Sequence, residues 1–111
     1  MKSLYIAGPI AGVQNYRERF AAAQAAAEAY EWAVLNPATL PAGLPNGAYM
    51  PICLAMLDSA DAVLMLDGWE DSEGAKLERA FALYQGKQVF KQNYFGGEIP
   101  PVLREWREDR P

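Results

Sequence analysis

The chain has 111 residues, 51% of them apolar and 22% charged, with ten lysines and arginines against fourteen aspartates and glutamates for a net charge of −4. That length holds one hydrophobic core, the composition excludes a disordered chain, and the acidic balance excludes a binder of nucleic-acid polymers, which needs a basic surface to displace counterions. A single nucleotide as substrate is not excluded. There is no histidine and one cysteine, Cys53, which excludes an internal disulfide, a zinc site of the usual kind and any catalytic pair built on histidine.

Ser3 to Ala7 (SLYIA) is a short apolar run closed by Gly8-Pro9, and it reads as a buried strand followed by a turn. Asn15 is placed to cap a helix running to about Trp32, with Tyr16, Phe20, Ala23, Ala27 and Tyr30 on one face at spacings of four, three, four and three. Ala33 to Asn36 is a second strand, stopped by Pro37. Residues 37–47 (PATLPAGLPNG) hold three prolines and two glycines, which predicts a long loop without regular structure. A helix follows from about Ala48 to Ser59, then a strand from Ala62 to Leu66, the polar loop DGWEDSEG, a helix from about Glu73 to Gln85 ended by Gly86, and a strand from Gln88 to Lys91. The tail from residue 92 carries Tyr94, Phe95, Trp106 and a short amphipathic piece, VLREWRED.

Strands alternating with helices predict a single α/β domain over residues 1–111, with a small parallel sheet covered by helices on both faces. Such sheets bind ligands beyond the carboxyl ends of their strands. The segments to search are therefore Gly8 to Gly12, the chain from Asn36 onward, and Asp67 to Gly74. The chain begins directly in a strand-like run, and its apolar runs fall far short of the ~20 residues that cross a bilayer. The expectation is a soluble, cytoplasmic protein with no membrane partner.

Five of the fourteen acids fall within the twelve residues from Asp67 to Glu78. Acids near a helix N-terminus are ordinarily solvated partners of the helix dipole. Glu78 differs, because its neighbours at three and four residues are Gly74, Ala75, Phe81 and Ala82, none of them a cation. Side chains lean toward the N-terminus of their helix, so its carboxylate is expected over Gly74, which has no side chain to block it. Ser72 and the free amides of the first turn suit an anion, about 9 Å from Glu78 along the axis at 1.5 Å per residue. Ser72 suits an N-cap equally. In the turn Gly8-Pro9-Ile10-Ala11-Gly12 two glycines let backbone approach a ligand. Tyr5 is either a core aromatic or, with its hydroxyl near Glu78, the group that orients the carboxylate.

The residues YIAGPI, DAVLML, Ser72-x-Gly74-x-x-x-Glu78 and GKQV, in that order over residues 3–91, resemble the nucleoside 2-deoxyribosyltransferase superfamily. The resemblance extends to 2′-deoxynucleoside 5′-phosphate N-hydrolases and to a small phage and bacterial branch whose pattern includes Asn36-Pro37-Ala38, Tyr49-Met50, Met56-Leu57 and Gly68-Trp69-Glu70. It implies a flavodoxin-like three-layer sandwich and cleavage of an N-glycosidic bond, with Glu78 as the nucleophile that forms a glycosyl-enzyme intermediate resolved by water or by a second base. Ser72 stands where relatives that act on 5′-monophosphates carry a phosphate-contacting serine. Tyr5 and Asp67 are the further catalytic candidates and Gly8, Ile10, Gly12, Ser72, Gly74, Tyr49 and Cys53 the candidate substrate contacts, with no cofactor or metal expected; the resemblance further implies a homo-oligomer. Base recognition falls to the loop around residues 37–50. There is one departure: where enzymes of the family carry an active-site aspartate eight residues before the position of Asp61, this chain has Cys53. Asp67, or alternatively Asp71, is then the expected proton donor, and a nucleotide-binding module without turnover is the alternative function. Asp61 itself precedes its strand and is expected to be structural.

Overall fold

The computed structural model describes residues 2–92 and 107–108. Four strands, β1 (Ser3–Ala7), β2 (Ala33–Leu35), β3 (Ala62–Met65) and β4 (Gln88–Lys91), form a parallel sheet, and β5 (Arg107–Glu108) adds an antiparallel edge, in the order β2-β1-β3-β4-β5. Three helices cover it: α1 (Tyr16–Glu28), α2 (Asn46–Ser59) and α3 (Glu73–Tyr84). This is the expected flavodoxin-like three-layer sandwich. Tyr94, Phe95 and most of the amphipathic piece, including Trp106, lie outside the described residues.

The central strands are apolar on both faces, as a covered parallel sheet requires. Alternate residues divide between two cores. Leu4, Ile6, Leu64 and Leu66 pack against Phe20, Ala23 and Ala27 of α1. Tyr5, Ala7, Val63 and Met65 face the other way, against Leu57 of α2 and Ala75 and Ala82 of α3. Parallel pairing sets Tyr5 beside Leu35 on one side and Val63 on the other, so it stands in the middle of the sheet. Because β1 runs between β2 and β3, the connections after β1 and β3 leave in opposite directions, and a crevice opens between them.

Several boundaries differ from the sequence reading; β2 and α3 each end one residue early, at Leu35 and Tyr84. Helix α1 stops at Glu28, four residues short of Trp32, and Asn15 makes no side-chain cap bond. The stop is a Schellman-type reversal: the Trp32 N–H donates to the Ala27 carbonyl at 3.2 Å and the Glu31 N–H to the Glu28 carbonyl at 3.0 Å. It places Glu31 at a φ of 68°, without the glycine that normally marks such a position, and leaves Tyr30 45% exposed rather than in the helix face. The 37–47 segment is not wholly irregular. The Asn36 side-chain oxygen accepts from the Ala38 N–H at 2.9 Å and caps a 3-10 turn over Pro37–Thr39, and α2 begins at Asn46 rather than Ala48. The third strand ends at Met65, one residue early.

The left-handed Glu31 is a defined strain. Glu31→Gly removes the clash of a side chain with the backbone, and we expect it to raise the unfolding free energy by up to about 1 kcal/mol, read by urea denaturation. Equal or lower stability would show that the reversal costs nothing.

Candidate functional site

Glu78 sits in the second turn of α3 on the same face as Ala75 and Ala82 and is 6% exposed. Its carboxylate accepts a hydrogen bond from the hydroxyl of Tyr5, which is wholly buried. Burial pushes the Glu78 pKa up to about 7, against the opposing pull of the Tyr5 hydrogen bond. Tyr5 is pushed far up in turn, by burial first and then by the Glu78 charge, so it remains a proton donor. The Cys53 thiol, reaching in from α2, is raised by burial and by the Glu78 charge, with the Tyr5 hydroxyl pulling the other way. A phenol, a thiol and a carboxylate from three different elements thus meet at one point.

That point is the inner end of a cleft of about 450 Å³, within the range of small-molecule sites. Gly8, Ile10, Ala11 and Tyr16 line it from the first connection, Ser72, Gly74 and Ala75 from the start of α3. The remaining wall comes from the 37–42 segment and from Asn46, Tyr49 and Met50 of α2. The cleft lies at the carboxyl ends of the strands, as expected.

Most sequence-predicted site residues converge here, with altered roles for some. Gly8 lines the cleft, but its missing side chain has a packing reason as well: a Cβ there would fall 2.8 Å from the Cβ of Leu66. A Cβ on Gly74 would meet the methyl of Met50 at 3.3 Å and would have no Glu78 atom beside it, so the space this glycine opens is taken by Met50 rather than by the expected carboxylate. The Ser72 hydroxyl accepts from the Ala75 N–H at 3.2 Å and is the N-cap of α3; it also lines the cleft, so one residue serves as cap and contact. The Tyr49 hydroxyl donates to the Pro41 carbonyl at 2.6 Å and accepts from the Leu44 N–H at 3.3 Å. It ties down the proline-rich loop, which leaves its ring for the cleft.

Three predicted residues are not brought to the site. Asp67 is exposed and does not line the cleft; Gly68, left-handed at a φ of 87°, turns the chain just after it, and what the Asp67 residue contributes is a backbone carbonyl accepting from Arg19 Nη2 at 2.7 Å. Asp71, the other candidate acid, is exposed as well and lies outside the lining. Gly12, at a φ of 78°, shapes the turn after Ile10 without reaching the cleft. Asp61 is structural as expected: its carboxylate takes the Ser3 N–H at 2.8 Å and the Ser3 hydroxyl at 3.2 Å, and these bonds hold its pKa below the usual range. Tyr16 and Asn46 were not singled out by sequence as site residues. Tyr16 is hidden by its place in the α1 face pattern, and Asn46 by a loop whose composition gives no period.

Among the described residues no group of three or more histidine, cysteine, aspartate or glutamate side chains is placed to hold a metal. No helix among them is long and apolar enough to cross a membrane. The class of protein is an α/β sandwich in which, among the described residues, Glu78 is the buried carboxylate at the end of a cleft. The chain belongs to the family described as Domain of unknown function (DUF4406), whose model matches residues 2–91. No curated protein and no solved structure matches it.

The raised Glu78 pKa has a consequence for stability. A carboxyl that holds its proton more tightly folded than unfolded makes the fold lose stability as pH rises from 4.5 to about 7, with no further loss above that. Glu78→Gln keeps an acceptor for Tyr5 without a charge to bury. We expect it to exceed wild type by up to about 3 kcal/mol at pH 8.5 and to match it near pH 4.5, measured by denaturant unfolding at both pH values. A variant no more stable at pH 8.5 would mean that the carboxylate is solvated.

Proposed function

We propose that this protein cleaves the N-glycosidic bond of a nucleoside or a (deoxy)nucleoside 5′-monophosphate, with Glu78 as nucleophile. The observation that carries the reading is the isolated carboxylate of Glu78, fixed by Tyr5 at the inner end of a cleft of about 450 Å³. Its ordered motifs, which resemble those of nucleoside 2-deoxyribosyltransferases and nucleotide N-hydrolases, support the same chemistry.

In this reading a Glu78 oxygen attacks the anomeric carbon as the bond to the base nitrogen breaks, and the electron pair leaves with the base. The base takes up a proton from the neutral Cys53 thiol or from water. Water then attacks the anomeric carbon of the glycosyl ester and gives its proton to the Cys53 thiolate or to the hydroxide left by the first step, freeing the sugar and restoring the carboxylate; a second base that gives up its N–H proton in the same way yields base exchange. Tyr5 holds the carboxylate in line and spreads its charge while it is free. The Ser72 hydroxyl and the first-turn amides at Glu73 and Gly74 receive the 5′-phosphate. The base lies against the Tyr49 ring and the 37–42 segment. The protein so described is a cytoplasmic, oligomeric enzyme that needs no cofactor.

A second reading, a nucleotide-binding module without turnover, is favoured by one specific observation. Among the described residues Glu78 is the only carboxylate lining the cleft, with Cys53 in place of a second acid. One experiment separates the two. The protein is incubated with a panel of nucleosides and 5′-monophosphates, and free base is sought by chromatography. We expect base release that falls roughly 1,000-fold or more in Glu78→Gln, and a kcat/KM that rises with pH through about 7 as Glu78 ionises. Binding by calorimetry, weakened by Ser72→Asp and without released base, supports the module; neither binding nor release contradicts both.

A further inference from the structure

The cleft wall that precedes α2 is held unevenly. At its root Pro37 and Ala38 are buried, and three bonds fix the turn: the Asn36 side chain accepts from the Ala38 N–H at 2.9 Å, the Thr39 hydroxyl donates to the Asn36 carbonyl at 2.8 Å, and the Leu40 N–H donates to the Pro37 carbonyl at 3.1 Å. Beyond that root Pro41, Ala42, Gly43 and Pro45 are exposed. A Cβ on Gly43 would meet nothing within 4 Å. Pro41 and Pro45 carry no N–H, so few donors remain to tie this strip to the body of the protein. Among the described residues, the hydrogen bonds made by residues 41–44 both go to one atom. The Tyr49 hydroxyl donates to the Pro41 carbonyl at 2.6 Å and accepts from the Leu44 N–H at 3.3 Å.

Leu40, Pro41 and Ala42 of the strip line the cleft, and Tyr5, Cys53 and Glu78 lie at its inner end. Tyr49 precedes Cys53 by one turn of α2, so the tie and the inner end of the cleft share one rigid helix. A bond that only braced a loop would be backed by packing. Here the strip is exposed on its outer side and faces the cleft on its inner side. Releasing one hydroxyl frees it between its root and the start of α2, and disturbs no strand, core residue or helical turn.

We propose that the Tyr49 hydroxyl is a latch: residues 40–45 form a flap over the cleft that opens when this hydroxyl lets go, and whose closing completes the wall around a bound molecule. Tyr49 is thereby a positioning residue, since its hydroxyl acts through the strip and not on the reacting atoms. Two bonds of ordinary net strength hold the open form to on the order of a few per cent of molecules. The prolines restrict the strip's own backbone, so it moves as a unit about its two ends. The inference concerns access to the cleft and does not depend on which reaction the cleft performs.

Cys53 reads the flap, because it is the one cysteine of the chain and lies at the inner end of the cleft. The full-length protein is labelled with N-ethylmaleimide, which is small, and with fluorescein maleimide, which carries a bulky ring system on the same reacting group. The ratio of the two rates cancels any change in the thiol itself. Tyr49→Phe keeps the ring and removes both bonds. We expect it to speed fluorescein maleimide labelling roughly tenfold or more and N-ethylmaleimide labelling less than about twofold. Phe20→Leu, in the core on the other face of the sheet, lowers stability without touching the strip and should leave the ratio unchanged. A hydroxyl of merely structural value would raise both rates together through global unfolding. Equal rates of the two reagents in the wild type, a ratio unmoved by Tyr49→Phe, or one moved as far by Phe20→Leu overturns the proposal. A second measurement needs no variant. In the wild type the Leu44 amide should exchange with deuterium through an opening insensitive to low urea, because little surface is exposed; exchange only through an opening as urea-dependent as global unfolding overturns the proposal as well.

Discussion

The hydrogen bond between Tyr5 and Glu78 is the constraint around which the rest is arranged. A carboxylate removed from water costs several kcal/mol unless a donor compensates it, and here the donor is one phenol on a central strand. The compensation is incomplete, which is why the Glu78 pKa rises to about 7 instead of falling below its ordinary value. A carboxylate left in that condition is poised: half ionised near neutrality, weakly solvated, and fixed in direction. For structure alone a glutamine would serve as well. The ionisable group has its rationale in the cleft onto which it opens.

Holding that pair requires agreement between three segments distant in sequence. Tyr5 is fixed by the parallel register of β1 with β2 and β3, Glu78 by the cap at Ser72 that starts α3, and Cys53 by α2. Gly8 lets β1 end tight against Leu66, and Gly74 lets α2 approach α3 through Met50. Helix α2 closes the cleft on one side and is bare and apolar on the other. From Asn46 to Leu57 it carries no charged residue, which is poor design for a solvated helix.

The four parallel strands were legible because each is a short run with an apolar centre bounded by glycine, proline or a polar loop, whereas the antiparallel β5, two charged residues in the tail, was not read as a strand. Glu78 was legible because nothing around it offered a cation, and Tyr5 because it lies on a strand whose residues must alternate between two cores. The failures have equally local causes. The end of α1 rests on a glutamate in a conformation normally given to glycine, which composition cannot signal. Asp67 has a suitable place in sequence, at the end of a strand, but the left-handed Gly68 turns the chain directly after it and the aspartate stays exposed, and a turn of that kind is set by backbone geometry. The loop after Asn36 was read from its prolines as irregular, although an asparagine before proline is itself a capping signal. The outer face of α2 was hidden in plain composition: its residues look like core, and only the arrangement of the sheet shows which of them the protein leaves uncovered.

The most direct measurement is the carboxyl titration of Glu78 followed by carbon NMR in the wild type and in Tyr5→Phe. The account requires a midpoint near 7 in the wild type, displaced upward in the phenylalanine variant because the donor that stabilises the charged form is gone. A midpoint at the ordinary value of 4.5, unmoved by the loss of the phenol, would contradict it: the carboxylate would then be a solvated surface group, and neither the pair nor the chemistry built on it would stand.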